Sequence, residues 1–111
     1  MKSNAKTFAV GMLGTSRTGL YSSPAKYKAV INMFRLVKKL ENDVTISIWI
    51  NHAGKDSYLL PPNLELHETY MVDIVDPEQP ITLHAGDFIS AQCSSANTVD
   101  FILAGEQYED I

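Results

Sequence analysis

The stretch Gly11-Met-Leu-Gly14-Thr-Ser-Arg-Thr-Gly19 is rich in glycine and hydroxyl groups, the composition of a loop that can wrap a phosphate. It lacks the Lys-Ser/Thr ending of a P-loop, and its glycines do not have the spacing of a dinucleotide fingerprint. A flexible turn between strands is therefore the expectation. His52, His67 and His84 stand alone, in neither a His-x-His nor a His-Glu-x-x-His arrangement. Only folding can bring His67-Glu68 and His84-x-x-Asp87 together around a divalent ion, and ligand spacing gives no positive sign of a metal. Serines are present, but without a Gly-x-Ser-x-Gly elbow, and Cys93 lacks a cysteine-protease context. No pair of carboxylates is singled out for glycoside chemistry. The expectation is a protein that is not an enzyme and that needs no metal or cofactor.

Two groups of residues suit contact rather than catalysis. Lys26, Lys28, Arg35, Lys38 and Lys39 fall within fourteen residues, with Tyr21, Tyr27 and Phe34 before or among them. Aromatics between cations can stack single-stranded nucleic acid. Solvated lysines along a strand, which discourage edge-to-edge aggregation, are the plainer account, and nucleic acid is not expected as a partner. Trp49 lies on the strand face opposite Val44, Ile46, Ile48 and Ile50. Either a second layer covers it, or it is an exposed anchor for a subunit or a carbohydrate. Cys93 reads as a small buried hydrophobe, since no Lys or Arg lies near it in sequence to lower its pKa.

The elements that must position these residues are mostly strands. Val44–Ile50 alternates with period two and is rich in β-branched residues. Asn51-His-Ala-Gly-Lys-Asp turns it, and Ser57–Leu60 returns as a second strand, stopped by Pro61-Pro62. Thr7–Gly14, Glu68–Val75, Ile81–His84, Phe88–Ser94 and Thr98–Ala104 read as further strands, with turns at Asp76–Pro80, Ala85–Asp87 and Ser95–Asn97. Residues 26–40 fit less well. Val30, Met33, Phe34, Val37 and Leu40 have helical spacing, whereas either parity of a strand mixes polar with apolar residues. Helix and strand both stay open there, with the β-rich surroundings favouring a strand. Short strands separated by frequent turns predict an all-β, antiparallel β-sandwich (jelly-roll or Ig-like) of about 7–9 strands. The expected organisation is an N-terminal arm or first strand at 1–12, a sandwich domain at 13–106 and a C-terminal tail at 107–111.

A chain of 111 residues with 45% hydrophobic and 20% charged residues suits one globular domain and argues against disorder. A single cysteine excludes an intrachain disulfide framework and a thiolate zinc site. No apolar run is long enough for a bilayer, and Phe8–Leu13 is shorter than a signal-peptide core, so no membrane partner and no secretion are expected. The net charge of −4 is uneven along the chain: residues 1–40 carry eight Lys or Arg and no acid, and residues 41–111 carry all thirteen acids with only Lys55. If these segments lie on different surfaces, one subunit's basic side can meet another's acidic side, and assembly weakens as salt rises. If antiparallel pairing mixes them, the asymmetry cancels within the monomer.

Residues 20–31 (LYSSPAKYKAVI) and 42–50 (NDVTISIWI), then Tyr58-Leu-Leu-Pro-Pro and Glu68-Thr-Tyr, fall in a recognisable order. Leu83-His-Ala-Gly-Asp-Phe-Ile-Ser-Ala and Val99-Asp-Phe-Ile-Leu-Ala-Gly-Glu complete it. Over about residues 13–106 the chain resembles small β-sandwich structural proteins of tailed bacteriophages. It departs from them at Met33-Phe-Arg-Leu36, where many such proteins have a more polar stretch. The resemblance implies a non-catalytic virion protein assembled in the host cytoplasm. The expected role is a capsid cement or decoration protein, a homo-oligomer, with a trimer as the expected size, bound to the major capsid protein or another virion protein. Lys26, Lys28, Arg35, Lys38 and Lys39 are then expected to face acidic surface on a neighbour, with Trp49 and Tyr58 as anchors. A tail, neck or baseplate component is the alternative within a virion. A carbohydrate- or receptor-binding module, with Trp49, Tyr58 and Tyr70 stacking on its ligand, is the alternative of another class.

Overall fold

The alternation at Val44–Ile50 becomes the central strand of one of two packed sheets. The computed structural model describes residues 3–67 and 70–109, apart from the side chains of Ser3, Asn4 and Tyr70. Among these residues there are ten strands and no helix: β1 (Ser3–Met12), β2 (Thr18–Ser22), β3 (Tyr27–Lys38), β4 (Val44–His52), β5 (Lys55–Tyr58), β6 (Leu64–Leu66), β7 (Tyr70–Asp73), β8 (Ile81–Leu83), β9 (Phe88–Cys93) and β10 (Val99–Glu109). The first sheet runs β1-β10-β3 and is completed by β7 and β8 along the free side of β3. The second runs β2-β9-β4 and is completed by β5 and β6 along the free side of β4. Every pairing is antiparallel.

The count exceeds the expected 7–9 because two edge positions are each filled by two short strands. Pro61-Pro62 interrupts the first pair and Asp76–Pro80 the second, since proline cannot donate to a ladder. Taking each pair as one segment, the sheet orders become 1-8-3-6 and 2-7-4-5. That is the jelly-roll arrangement rather than the Ig-like one. β2 and β6 were not legible as strands: β2 absorbs the end of the glycine-rich loop, and β6 is three residues long. The other expected strands are present with shifted ends, β5 beginning at Lys55 and β7 ending at Asp73. The first two residues of the expected Glu68–Val75 strand lie outside the described residues.

Residues 26–40 form a strand, and the structure explains their helix-like spacing. The buried residues of β3 are Ala29 and Ile31, then Phe34, Leu36 and Lys38, so parity changes between Ile31 and Phe34. The register with β10 slips at the same place: Ala104 faces Met33 while Gly105 faces Ile31, leaving Asn32 as the extra residue of a β-bulge. Gly105 makes this possible. A Cβ there would lie 1.9 Å from the Val30 carbonyl oxygen.

Both described chain ends lie in the first sheet. Ser3 pairs with Tyr108 and Asn4 with Gln107, so the described parts of the expected arm and tail are paired strand. β1 is a full edge strand of the first sheet, and β10 continues to Glu109. The core lies between the sheets, built from Ile31, Phe34 and Leu36 of β3, Val44, Ile46 and Ile48 of β4, Ile89 and Ala91 of β9, and Val99 and Leu103 of β10. Gly54 and Gly86 take φ of 83° and 86° in the turns that sequence placed at those sites.

Candidate functional site

The two outer faces of the sandwich are chemically different. On the first sheet, burial of one side of each strand leaves Val10 and Met12 of β1, Ile102 of β10, Val37 of β3 and Met71 of β7 on the outside. Register aligns Met12, Asp100, Val37 and Met71 in one row across four strands, with Val10 and Ile102 in the next. Val10, Met12 and Met71 are at least half exposed, at 65%, 51% and 52%, and Leu40 just past β3 is equally open. Charged pairs punctuate this apolar face: Arg35 Nε donates to Asp73 at 2.9 Å, and Lys39 Nζ lies 3.0 Å from Asp100.

These pairs correct the expected basic contact surface. Arg35 and Lys39 are matched by acids from the second half of the chain, because β3 lies between β10 and β7. Lys38 is on the inner side of β3 and buried, its ammonium donating to the Leu40 carbonyl, so it cannot face a neighbour. Lys26 is exposed in the turn before β3, with φ of 68°, and Lys28 is half-buried near the start of the strand. Of the four of these cations that reach the surface, only these two are without an acidic partner among the described residues. The five cations therefore do not form one surface, and much of the charge asymmetry along the sequence cancels within the monomer.

On the second sheet, Trp49 and Tyr58 face each other across β4 and β5, with ring centroids 5.3 Å apart. Among the described residues no second layer covers Trp49, which is half-buried. Arg17, from the glycine-rich loop, reaches over the sheet instead: its Nε donates to Ser90 Oγ at 2.8 Å and its guanidinium carbon lies 4.2 Å from the Trp49 ring centroid. It then grips Asp56 with two hydrogen bonds, of 3.0 and 2.9 Å. Donation from Arg17 and then from Asn51 holds the Asp56 carboxyl below the usual carboxylate range. Thus the suspected phosphate loop contributes a cation that is already engaged. The backbone of Tyr70 belongs to β7 in the first sheet, whereas Trp49 and Tyr58 are on strands of the second.

Beside Trp49, on the same outer side, is an open cavity of about 130 Å³ lined by Thr15, Thr45, Ser47, Asn63, Gln92, Cys93 and Ser94. Asn63 follows Pro61-Pro62 and takes φ of 55°, a conformation asparagine tolerates better than most residues. Its N–H donates to the buried Ser47 Oγ at 3.0 Å and its side-chain oxygen accepts from the same hydroxyl at 3.4 Å, pinning the loop to the sheet. Ser94 Oγ accepts from the Thr45 N–H. Sequence reasoning missed this cavity because its residues come from four separate segments and form no motif.

Family models, curated proteins and solved structures give no match to this chain.

The histidines separate into two places at opposite ends of β4. His52 Nδ1 lies 2.6 Å from the Asp87 carboxylate, which also accepts from the N–H groups of His84 and Ala53. Burial acts most strongly on Asp87 and by itself would raise its pKa. The hydrogen bonds from the His52 ring and the two backbone groups outweigh that effect and hold it lowered. An ionised Asp87 can only accept, so His52 Nδ1 carries the proton. The His84 ring stands 5.4 Å from that of His52, and the group ties the β4–β5 hairpin to the β8–β9 turn. His67 lies instead between Asp43 and Glu65, at 3.3 and 3.2 Å. Among the described residues no set of three His, Cys, Asp or Glu is arranged to hold a metal. Cys93 is buried and its thiol donates to the Ser95 carbonyl.

Proposed function

We propose that this protein is a non-enzymatic structural subunit of a tailed-phage virion, a capsid cement or decoration protein that works as a homo-oligomer. The observation that carries the proposal is the group of apolar side chains on the outer face of the first sheet, Met12, Val37 and Met71 in one row that Asp100 interrupts, with Val10 and Ile102 in the next. The exposed residues there present on the order of 400 Å², within the size of patch that often marks a contact site. Such an area suits the apolar centre of an interface whose rim is polar. Arg35–Asp73 and Lys39–Asp100 punctuate these side chains, with Asp100 between Met12 and Val37, and each charge is matched within the monomer.

Each copy buries these apolar side chains against an identical copy, and the oligomer presents several equivalent capsid-binding surfaces. Many weak contacts then act together, so the assembled shell is held more tightly than any one contact allows. Because Arg35 and Lys39 are paired within the monomer, association between copies depends mainly on apolar burial and should change little with salt.

The test is sedimentation and light scattering of the purified chain at micromolar concentration, with co-sedimentation on purified capsids. The wild type should run as an oligomer, and Val37→Asp should run as a monomer with an unchanged circular dichroism spectrum. A wild type that stays monomeric and does not bind capsids would overturn the proposal. If quantified virions contain only tens of copies rather than hundreds, the tail, neck or baseplate role replaces the capsid one.

A further inference from the structure

We infer that the outer face of the second sheet carries a binding site for a neutral saccharide, centred on the cavity between Ser47, Asn63 and Gln92. This goes beyond an assembly role, since the site lies on the sheet opposite those apolar side chains. Four features of the cavity define the ligand class.

The first is charge. Every residue that lines the cavity is uncharged. Arg17, the cation of that face, is spent on Asp56 and Ser90. An adjoining depression of about 100 Å³ shares Thr45 and Ser94 with the cavity and carries Asp43 and Glu65. A phosphate, sulfate or carboxylate ligand would find no free cation and an acidic border, whereas carboxylates readily accept from sugar hydroxyls.

The second is hydrogen-bonding capacity. Apart from Cys93, the cavity is lined by residues with hydroxyls and amides, and these groups both donate and accept, as the hydroxyls of a sugar do. Among the described residues no protein group engages the side chain of Gln92 or Thr15. Their polar atoms are therefore available to a ligand without breaking a contact within the fold.

The third is rigidity. Ser47 is buried, and its hydroxyl is held by the backbone and side chain of Asn63. The walls are thus formed before a ligand arrives, which lowers the ordering cost of binding. A cavity of about 130 Å³ holds roughly four waters, and a single pyranose ring can replace them with its own hydroxyls.

The fourth is the neighbouring aromatic surface. Ser47 and Trp49 are two residues apart on one face of β4, about 7 Å along the strand. Tyr58 stands opposite Trp49 and is 49% exposed. A second ring of an oligosaccharide can rest its C–H face on Tyr58 while the first occupies the cavity.

The experiment applies the full chain to an array of neutral and anionic oligosaccharides, followed by titration of any bound one in solution. Trp49 is the only tryptophan, so its emission reports occupancy without a label. Neutral hexose or N-acetylhexosamine oligosaccharides should bind and shift that emission. Gln92→Ala and Thr15→Val should each weaken binding roughly tenfold, the loss of about one hydrogen bond. Neither side chain supports the fold, and matching melting curves will confirm that the variants are intact. Absence of binding to neutral oligosaccharides, binding restricted to sialylated or sulfated ones, or affinity unchanged in both variants would each overturn the inference.

Discussion

Gly105 should tolerate a methyl group worse than any exposed glycine of this chain. A Cβ at this position would sit 1.9 Å from the Val30 oxygen, 2.9 Å from its carbonyl carbon and 3.1 Å from Ile31 Cα. Ordinary contact begins near 3.4 Å, so backbone must move by more than an ångström. Val30 cannot easily yield, because β3 is paired on both sides there, with Glu106 of β10 and Thr82 of β8. The relief available is to open the bulge, which costs ladder hydrogen bonds and shifts Ile31 or Phe34 out of the core. Gly105→Ala should therefore destabilise the fold by about 3 kcal/mol or more, the upper range for overpacking. For a chain of this size that corresponds to a fall in Tm of roughly 12 °C or more. The assay is thermal unfolding by circular dichroism at matched concentration. Gly19→Ala serves as the control, since nothing lies within 4 Å of its Cβ position. If Gly105→Ala melts within a few degrees of wild type, the bulge and the close approach are wrong.

Two further outcomes are expected from single groups. Asp87 has a folded pKa below its unfolded value, so its stabilising contribution is complete above about pH 4 and disappears as pH falls through the folded value. In urea titrations the wild type should lose stability below about pH 4, and Asp87→Asn should flatten that limb while costing roughly 1–3 kcal/mol at pH 7. An identical acid limb in the variant would refute this assignment. Arg17→Ala removes the guanidinium over Trp49 and its pair with Asp56. Trp49 emission should shift to the red, and stability should fall by about 1 kcal/mol, the scale of a partly exposed cation–π contact with an ion pair; an unchanged spectrum would count against the stacking.

What the sequence by itself determined was what depends on neighbours along the chain. Val44–Ile50 had to form a half-buried strand because its apolar residues repeat every second position, and Val44, Ile46 and Ile48 are indeed buried. Gly54 and Gly86 marked their turns through a backbone freedom that other residues lack. The tertiary structure decided what depends on pairing across the chain. β3 was ambiguous because its parity changes at a bulge, and the reason for the bulge is a glycine more than seventy positions later. The basic run looked like a contact surface because charges were counted in order. Folding instead set Arg35 beside Asp73 and Lys39 beside Asp100, and buried Lys38. Arg17, Trp49 and Asp56 meet only because β2, β9, β4 and β5 lie side by side. Period and turn chemistry are local properties, so one sequence displays them. Which outer face is apolar and which polar, and what each side chain meets there, follows from strand order, and only the folded sandwich supplies that.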